Sequence, residues 1–130
     1  MTDEQIALAR RAVACKGWRW LPGMRVEWVG MGTGWRMLSE THSWYEREEC
    51  EDGEPGGPNA VPDLEDPATL GCLLALVREA WGDDWISTGR MAYLDGSSIW
   101  VVTMSFGTRL GTRQAATEAE ALVAALESAP

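Results

Sequence analysis

Nine carboxylates crowd into residues 46–66: Glu46, Glu48, Glu49, Glu51, Asp52, Glu54, Asp63, Glu65 and Asp66, against one base, Arg47. The stretch holds a net −8 of the chain's −9, so the remaining residues are close to neutral. Carboxylates at this density do one of two things. They keep a loop extended and solvated, or they present a negative surface that steers a basic protein partner at salt-dependent rates. Glu46, Glu48, Glu49, Glu51, Asp52 and Glu54 are the candidate partner-binding residues. They lack the calcium-loop pattern with its central Gly and terminal Glu.

The other groups that could do chemistry point to weaker readings. His42 is the only histidine and lies near Ser39, Thr41, Ser43 and Cys50. A nucleophile and base need hydrogen-bond geometry, and a lone polar histidine at a strand end reads as structural. G-M-G-T-G at 30–34 suggests a phosphate loop, but that mechanism needs a helix to follow. The next residues, Trp35 to Leu38, read as a strand, and the only lysine is Lys16. Cys50, between Glu49 and Glu51, sits where negative neighbours disfavour the thiolate. Cys15, Cys50, Cys72 and His42 show no zinc-ligand spacing. No catalytic residue, cofactor or metal site is expected.

Eight Trp stand against two Tyr and one Phe. Such an excess serves a core of large side chains or a stacking surface. Trp18, Trp20, Trp28 and Trp35 read as core or sheet-face residues. Trp44, Trp85 and Trp100, if exposed together, would form a docking or stacking patch.

With 130 residues the chain is expected to be one domain, able to bury a core without staples. A pI near 4.5 argues against direct binding to nucleic acid or anionic membrane. No apolar run approaches a membrane span, and the N-terminus has no signal-peptide pattern. Three widely spaced cysteines fit a reducing cytosol.

These residues must be positioned by elements that the spacing predicts. Thr2 with Gln5 forms a capping box, and Ile6, Leu8, Ala9, Ala12 and Val13 continue a helix over 3–16, stopped by Gly17. Pro22-Gly23 marks a turn. Residues 24–29 alternate as a half-buried strand, with Met24, Val26 and Trp28 on one face and Arg25 and Glu27 on the other. Residues 35–38 return, and a short third strand runs through Trp44 and Tyr45. Residues 50–62, rich in Gly and Pro, read as irregular. Asp66 is a helix N-cap with Pro67 at the first helical position, and Leu70, Leu73, Leu74, Val77 and Trp81 make an apolar stripe, widened by Cys72 and Leu76. Strands over 90–94 and 98–105 are joined at Asp95-Gly96. The second is apolar on both faces and is therefore expected centrally, covered on both sides. Residues 107–116 read as a loop with at most a short edge strand. Thr117 with Glu120 caps a closing helix over 121–126.

The expected class is α+β: one small, mainly antiparallel sheet with helices on its faces, in the order α-β-β-(β)-loop-α-β-β-α. Three segments carry a resemblance: ALARRAVACKGWRWLPGM (7–24), VPDLEDPATLGCLLALVREAWG (61–82) and TEAEALVAALESA (117–129). They resemble short phage and prophage proteins with the layout of the phage α/β/α sandwich domain. The matching positions are Gly17, Trp18 and Trp20, then Pro62 and Asp63, then Ala121 to Leu126. The resemblance implies phage origin, action in the cytoplasm of a bacterial host and a sheet covered on two sides. It brings no catalytic motif. The expected function is therefore non-enzymatic: an accessory protein acting by protein–protein contact, and specifically an inhibitor of a host defence or nucleic-acid-handling protein through the acidic surface. The alternatives are a homo-oligomeric morphogenesis accessory and a small-molecule or glycan binder using Trp.

Overall fold

Pro22 and Gly23 turn the chain into its first sheet. In the computed structural model, which describes residues 1–30, 34–37, 43–45, 48–50 and 59–130, the Met24 N–H donates back to the Leu21 carbonyl at 3.1 Å. Gly23 has φ +99°, a value L-residues rarely adopt, at the turn position that calls for glycine after proline. The strands β1 (Arg25–Trp28) and β2 (Gly34–Met37) then pair antiparallel, Val26 opposite Trp35. β3 (Ser43–Tyr45) and β4 (Glu48–Cys50) extend the sheet on one side, and β5 (Ala60–Pro62) on the other. The order is β4-β3-β2-β1-β5, antiparallel throughout.

The alternation expected along β1 is present. Met24 and Val26 are fully buried. Val26 joins Met37 and Ala60 in a core onto which Trp20, Trp28 and Trp35 pack. The Trp28 and Trp35 rings lie 5.9 Å apart and tilted by 32°, close enough to add ring–ring attraction to apolar burial. Arg25 and Glu27, on the opposite face, pair at 3.1 Å.

Among the described residues, three helices complete the α+β architecture: α1 (Asp3–Ala14), α2 (Pro67–Trp81) and α3 (Glu118–Glu127). The capping box at Thr2 and Gln5 forms its expected contacts, each side chain satisfying the other's backbone N–H at 2.7 and 3.1 Å. At α3 the Thr117 hydroxyl accepts from the Glu120 N–H at 3.1 Å, but the Glu120 carboxylate takes the Ala116 N–H. The most buried α2 side chains are Thr69, Leu73, Leu76 and Val77. The buried stripe is thus rotated from the expected one. Leu76 lies at its centre, while Leu70, Leu74 and Trp81 flank it. No helix among the described residues is long and apolar enough to cross a membrane.

A second antiparallel sheet, order β6-β7-β8, is built from β6 (Ser87–Ala92), β7 (Ser98–Thr103) and β8 (Arg109–Ala115). The chain accordingly forms two compact units, Met1–Val13 with Arg19–Cys72, and Ala14–Trp18 with Leu73–Pro130. In the second unit, Asp95 and Gly96 turn β6 into β7, with the Tyr93 N–H bonded to the Ser97 carbonyl at 2.8 Å. The central position expected for β7 is the one it occupies. Thr88, which stands opposite Val102, hydrogen-bonds Glu118 of α3 at 2.7 Å. Trp81 donates its indole N–H to the Ala125 carbonyl at 2.8 Å, tying the end of α2 to α3.

Three expectations need correction. The strands form two sheets rather than one. Ala60–Pro62, read as irregular, is a strand paired with β1. It ends on a proline, which an edge strand tolerates because its N–H side need not pair. Residues 107–116, read as a loop with at most a short edge strand, hold β8, an edge strand of seven residues. Its polar, glycine-containing sequence hides a strand interrupted by a bulge: Trp100 pairs with Ala115 and Val102 with Leu110. Inside that bulge Gly111 has φ +73°, and a Cβ there would lie 2.8 Å from the Ala124 backbone carbon of α3.

Gly111 therefore serves two needs, a left-handed backbone and close approach to a helix, whereas Gly96 (φ +87°) has open space around it. Denaturant unfolding should show Gly111→Ala losing about 3 kcal/mol and Gly96→Ala about 1 kcal/mol. Equal losses would contradict the close packing of β8 on α3.

Candidate functional site

Asp66 combines a helix cap with an ion pair in the first unit. As the N-cap of α2 its Oδ2 accepts the Thr69 N–H and hydroxyl, both at 2.9 Å, satisfying a donor that a helix start otherwise leaves open. Its two oxygens also receive the Arg36 guanidinium, at 2.7 and 3.0 Å. This two-point geometry suits Arg rather than Lys. Arg36 uses the same Nη1 to reach the Gly23 carbonyl at 2.7 Å. Thr69, fully buried, closes the node by accepting the Arg25 N–H at 2.8 Å. Nearby, Arg25 lies 3.4 Å from Asp63. The start of β1, the middle of β2, the Pro22-Gly23 turn and the first turn of α2 thus meet at one carboxylate.

The electrostatics follow from these contacts. Arg36 beside Asp66, with help from the Thr69 donors, holds the Asp66 carboxyl down at about 2 against partial burial. Arg36 is raised in turn, chiefly by the same bond. Cys72, one helical turn on, donates to the Pro22 carbonyl at 3.6 Å. Burial, reinforced by the Asp66 charge, pushes its thiol up, which keeps it protonated and unreactive. Arg36, Asp66 and Thr69 are mutually satisfied, which makes the node a brace rather than a catalytic centre.

Asp66 was legible as a helix cap, and Pro67 follows it at the first helical position. Its partner Arg36 was not, because a pairing 30 residues apart leaves no local signature. Of the candidate partner-binding acids, Glu48 and Glu49 lie on β4, an edge strand of the five-stranded sheet, opposite Tyr45 and Trp44. Glu46, Glu51, Asp52 and Glu54 lie outside the described residues, as does His42. The glycine-rich run leads into β2, a strand rather than a phosphate-binding helix. Cys50 ends β4.

The tryptophans divide. Trp28 and Trp35 pack on the core, and Trp20 joins them. Trp100 is half-buried, with the Arg90 guanidinium 5.9 Å from its ring centre. Trp85 is 80% exposed, and Phe106 is 71% exposed. Phe106 is likewise an exposed aromatic residue of the second unit, which the sequence reading did not single out. Asp83 links these loops: it accepts the Trp85 N–H at 2.9 Å and both the N–H and hydroxyl of Ser105, at 2.9 and 3.0 Å. Its place just after a helix end was visible in the sequence, but its reach across 22 residues was not.

No family model matches the chain, and neither a curated protein nor a solved structure shows significant similarity to it.

The Asp66 brace has a pH signature. A carboxyl lowered from its ordinary value near 3.8 to about 2 adds stability that is complete above pH 4 and disappears as pH falls through 2. Asp66→Asn keeps a competent helix cap but removes the charge. At pH 7 it should be less stable than the parent by about 2 kcal/mol, and acid titration should bring the two together between pH 4 and 2. A constant gap across that range would contradict the assignment.

Proposed function

We propose that this is a non-enzymatic, phage-encoded accessory protein that acts by protein–protein contact in the cytoplasm of its bacterial host. Its partner is a basic host protein of defence or nucleic-acid handling. The contact residues are Glu46, Glu48, Glu49, Glu51, Asp52 and Glu54. The observation that carries the reading is where this charge is attached. Glu48 and Glu49 lie on β4 at the edge of the sheet, and the acidic stretch continues from that edge toward β5. An edge strand has backbone donors and acceptors open on one side. Carboxylates on and beside it repel other acidic chains and favour a basic surface, which supplies affinity that depends on salt and on the arrangement of charge.

The structural acids support the same division of labour. Asp63 and Asp66 face Arg25 and Arg36 within the fold.

The test is a pull-down from bacterial lysate with the tagged protein, beside a variant in which the six contact acids are changed to Gln or Asn. A basic protein captured by the parent alone, and released between 50 and 500 mM salt, is the expected outcome, consistent with a Debye length that shrinks from roughly 14 to 4 Å. The same captures on both would overturn the reading. A salt-independent mass above 14.3 kDa in size exclusion would favour self-assembly instead.

A further inference from the structure

The second unit has an open sheet edge. β6 is the outer strand of the order β6-β7-β8, and Ser87, Arg90 and Ala92 along it are exposed. Its register with β7 runs without a shift from Ser87 to Ala92, and one step further on the Tyr93 N–H bonds the Ser97 carbonyl. Antiparallel pairing alternates between residues that bond the neighbouring strand and residues whose backbone groups point away from it. Tyr93 bonds toward β7, and by that alternation so do Met91 and Gly89. The N–H and C=O groups of Thr88, Arg90 and Ala92 therefore point outward from the edge.

Folded proteins guard such edges with a proline, a bulge or a charge. β6 has no proline and no shift in register. Its one charge, Arg90, is turned across the sheet: the guanidinium donates to Ser98 at 2.8 Å and lies 5.9 Å from the Trp100 ring centre, both on β7. Thr88 bonds Glu118, so the even-numbered residues of β6 share the α3 side of the sheet. The other side carries Gly89, Met91, Ile99 and Val101. Met91, Ile99 and Val101 are half-buried, and a Cβ on Gly89 would meet nothing within 4 Å.

The strand is complementary to itself in one register. With Arg90 opposite Arg90, like charges stand face to face, which is destabilising. With Met91 opposite Met91, Arg90 faces Ala92, and Tyr93 stands over the open space at Gly89, an arrangement that compensates a glycine in a strand. The charge distribution also favours a second copy here. The second unit holds five bases and seven acids, a net −2 of the chain's −9, so most of the repulsion between copies comes from the other unit.

We propose that β6 pairs antiparallel with β6 of a second copy, centred on Met91, and joins the two β6-β7-β8 sheets into one. Arg90 of each copy exchanges backbone hydrogen bonds with Ala92 of the other, and the half-buried apolar sides become continuous. Each copy carries −9, so added salt screens their repulsion and strengthens the dimer. That is the opposite of the acidic contact, and the acidic stretch lies in the other unit, so the two readings fail separately.

The test is the mass of the full chain by analytical ultracentrifugation over a concentration series, at about 50 and about 500 mM salt. It should rise from 14.3 kDa toward twice that value, further at the higher salt. Met91→Lys, which opposes like charges at the centre, should weaken the dimer about ten-fold. Ala92→Pro, which removes an outward N–H and no bond to β7, should weaken it about thirty-fold. An unchanged circular dichroism spectrum confirms that both variants fold. Oxidative cross-linking reads the register: Met91→Cys should form a disulfide dimer above the background set by the parent's own cysteines, and Gly89→Cys should not. A chain that stays monomeric at every concentration, leaving the edge to an extended segment of another protein, overturns the proposal. So does a dimer that both variants leave intact, a dimer that salt dissolves, or equal cross-linking at 89 and 91.

Discussion

One carboxylate constrains the first unit. Asp66 caps α2, orients Thr69 and receives Arg36 from β2, while Thr69 in turn accepts a backbone N–H from β1. Each of these bonds alone contributes modestly, since folding exchanges water contacts for protein contacts. Their convergence matters more than their number. A strand and a helix that are 30 residues apart in sequence are fixed at one point, and the Pro22-Gly23 turn is fixed with them through Arg36. Removing a member leaves its partners desolvated and unpaired, so the brace is cooperative.

The second unit uses polar groups differently. Asp83 is also a carboxylate that accepts backbone and hydroxyl donors. The Ser105 N–H, foremost, holds it below the usual carboxylate range. It joins two loops rather than a helix to a sheet, and the side chains it positions face water. The core beneath is apolar: Val102, Leu110 and Ala115 from the sheet, with Leu122, Val123 and Leu126 from α3, all buried. The glycine at 111 lets β8 approach that helix closely.

What could be read from sequence was what neighbouring residues decide. The capping box at Thr2, the Asp66 cap with Pro67 behind it, the Asp95-Gly96 hairpin and the alternation of β1 all depend on residues a few positions apart. The partner of Asp66 depends on the fold, and so does the reach of Asp83 to Ser105. β5 and β8 escaped for a related reason. Ala60–Pro62 is short and ends in proline, and residues 109–115 are mostly polar with a glycine, so neither shows a hydrophobic period. They are strands because the sheet edge beside them has open hydrogen-bonding groups. The α2 stripe was found but rotated, since Thr69 counts as polar by type and is buried by the bonds it makes. The exposure of Trp85 was left open by the sequence, and Phe106 carried no pattern that set it apart.

The acids divide into two groups: Asp63, Asp66 and Asp83 are bonded within the fold, and Glu46, Glu48, Glu49, Glu51, Asp52 and Glu54 are the proposed partner contacts. Thermal unfolding of the six-acid Gln/Asn variant against the parent, at low salt and pH 7, tests that division most directly. An equal or higher midpoint is expected, because neutralising clustered like charges relieves repulsion. A loss of stability as large as that of Asp66→Asn would show that the cluster holds the fold together and would contradict the account.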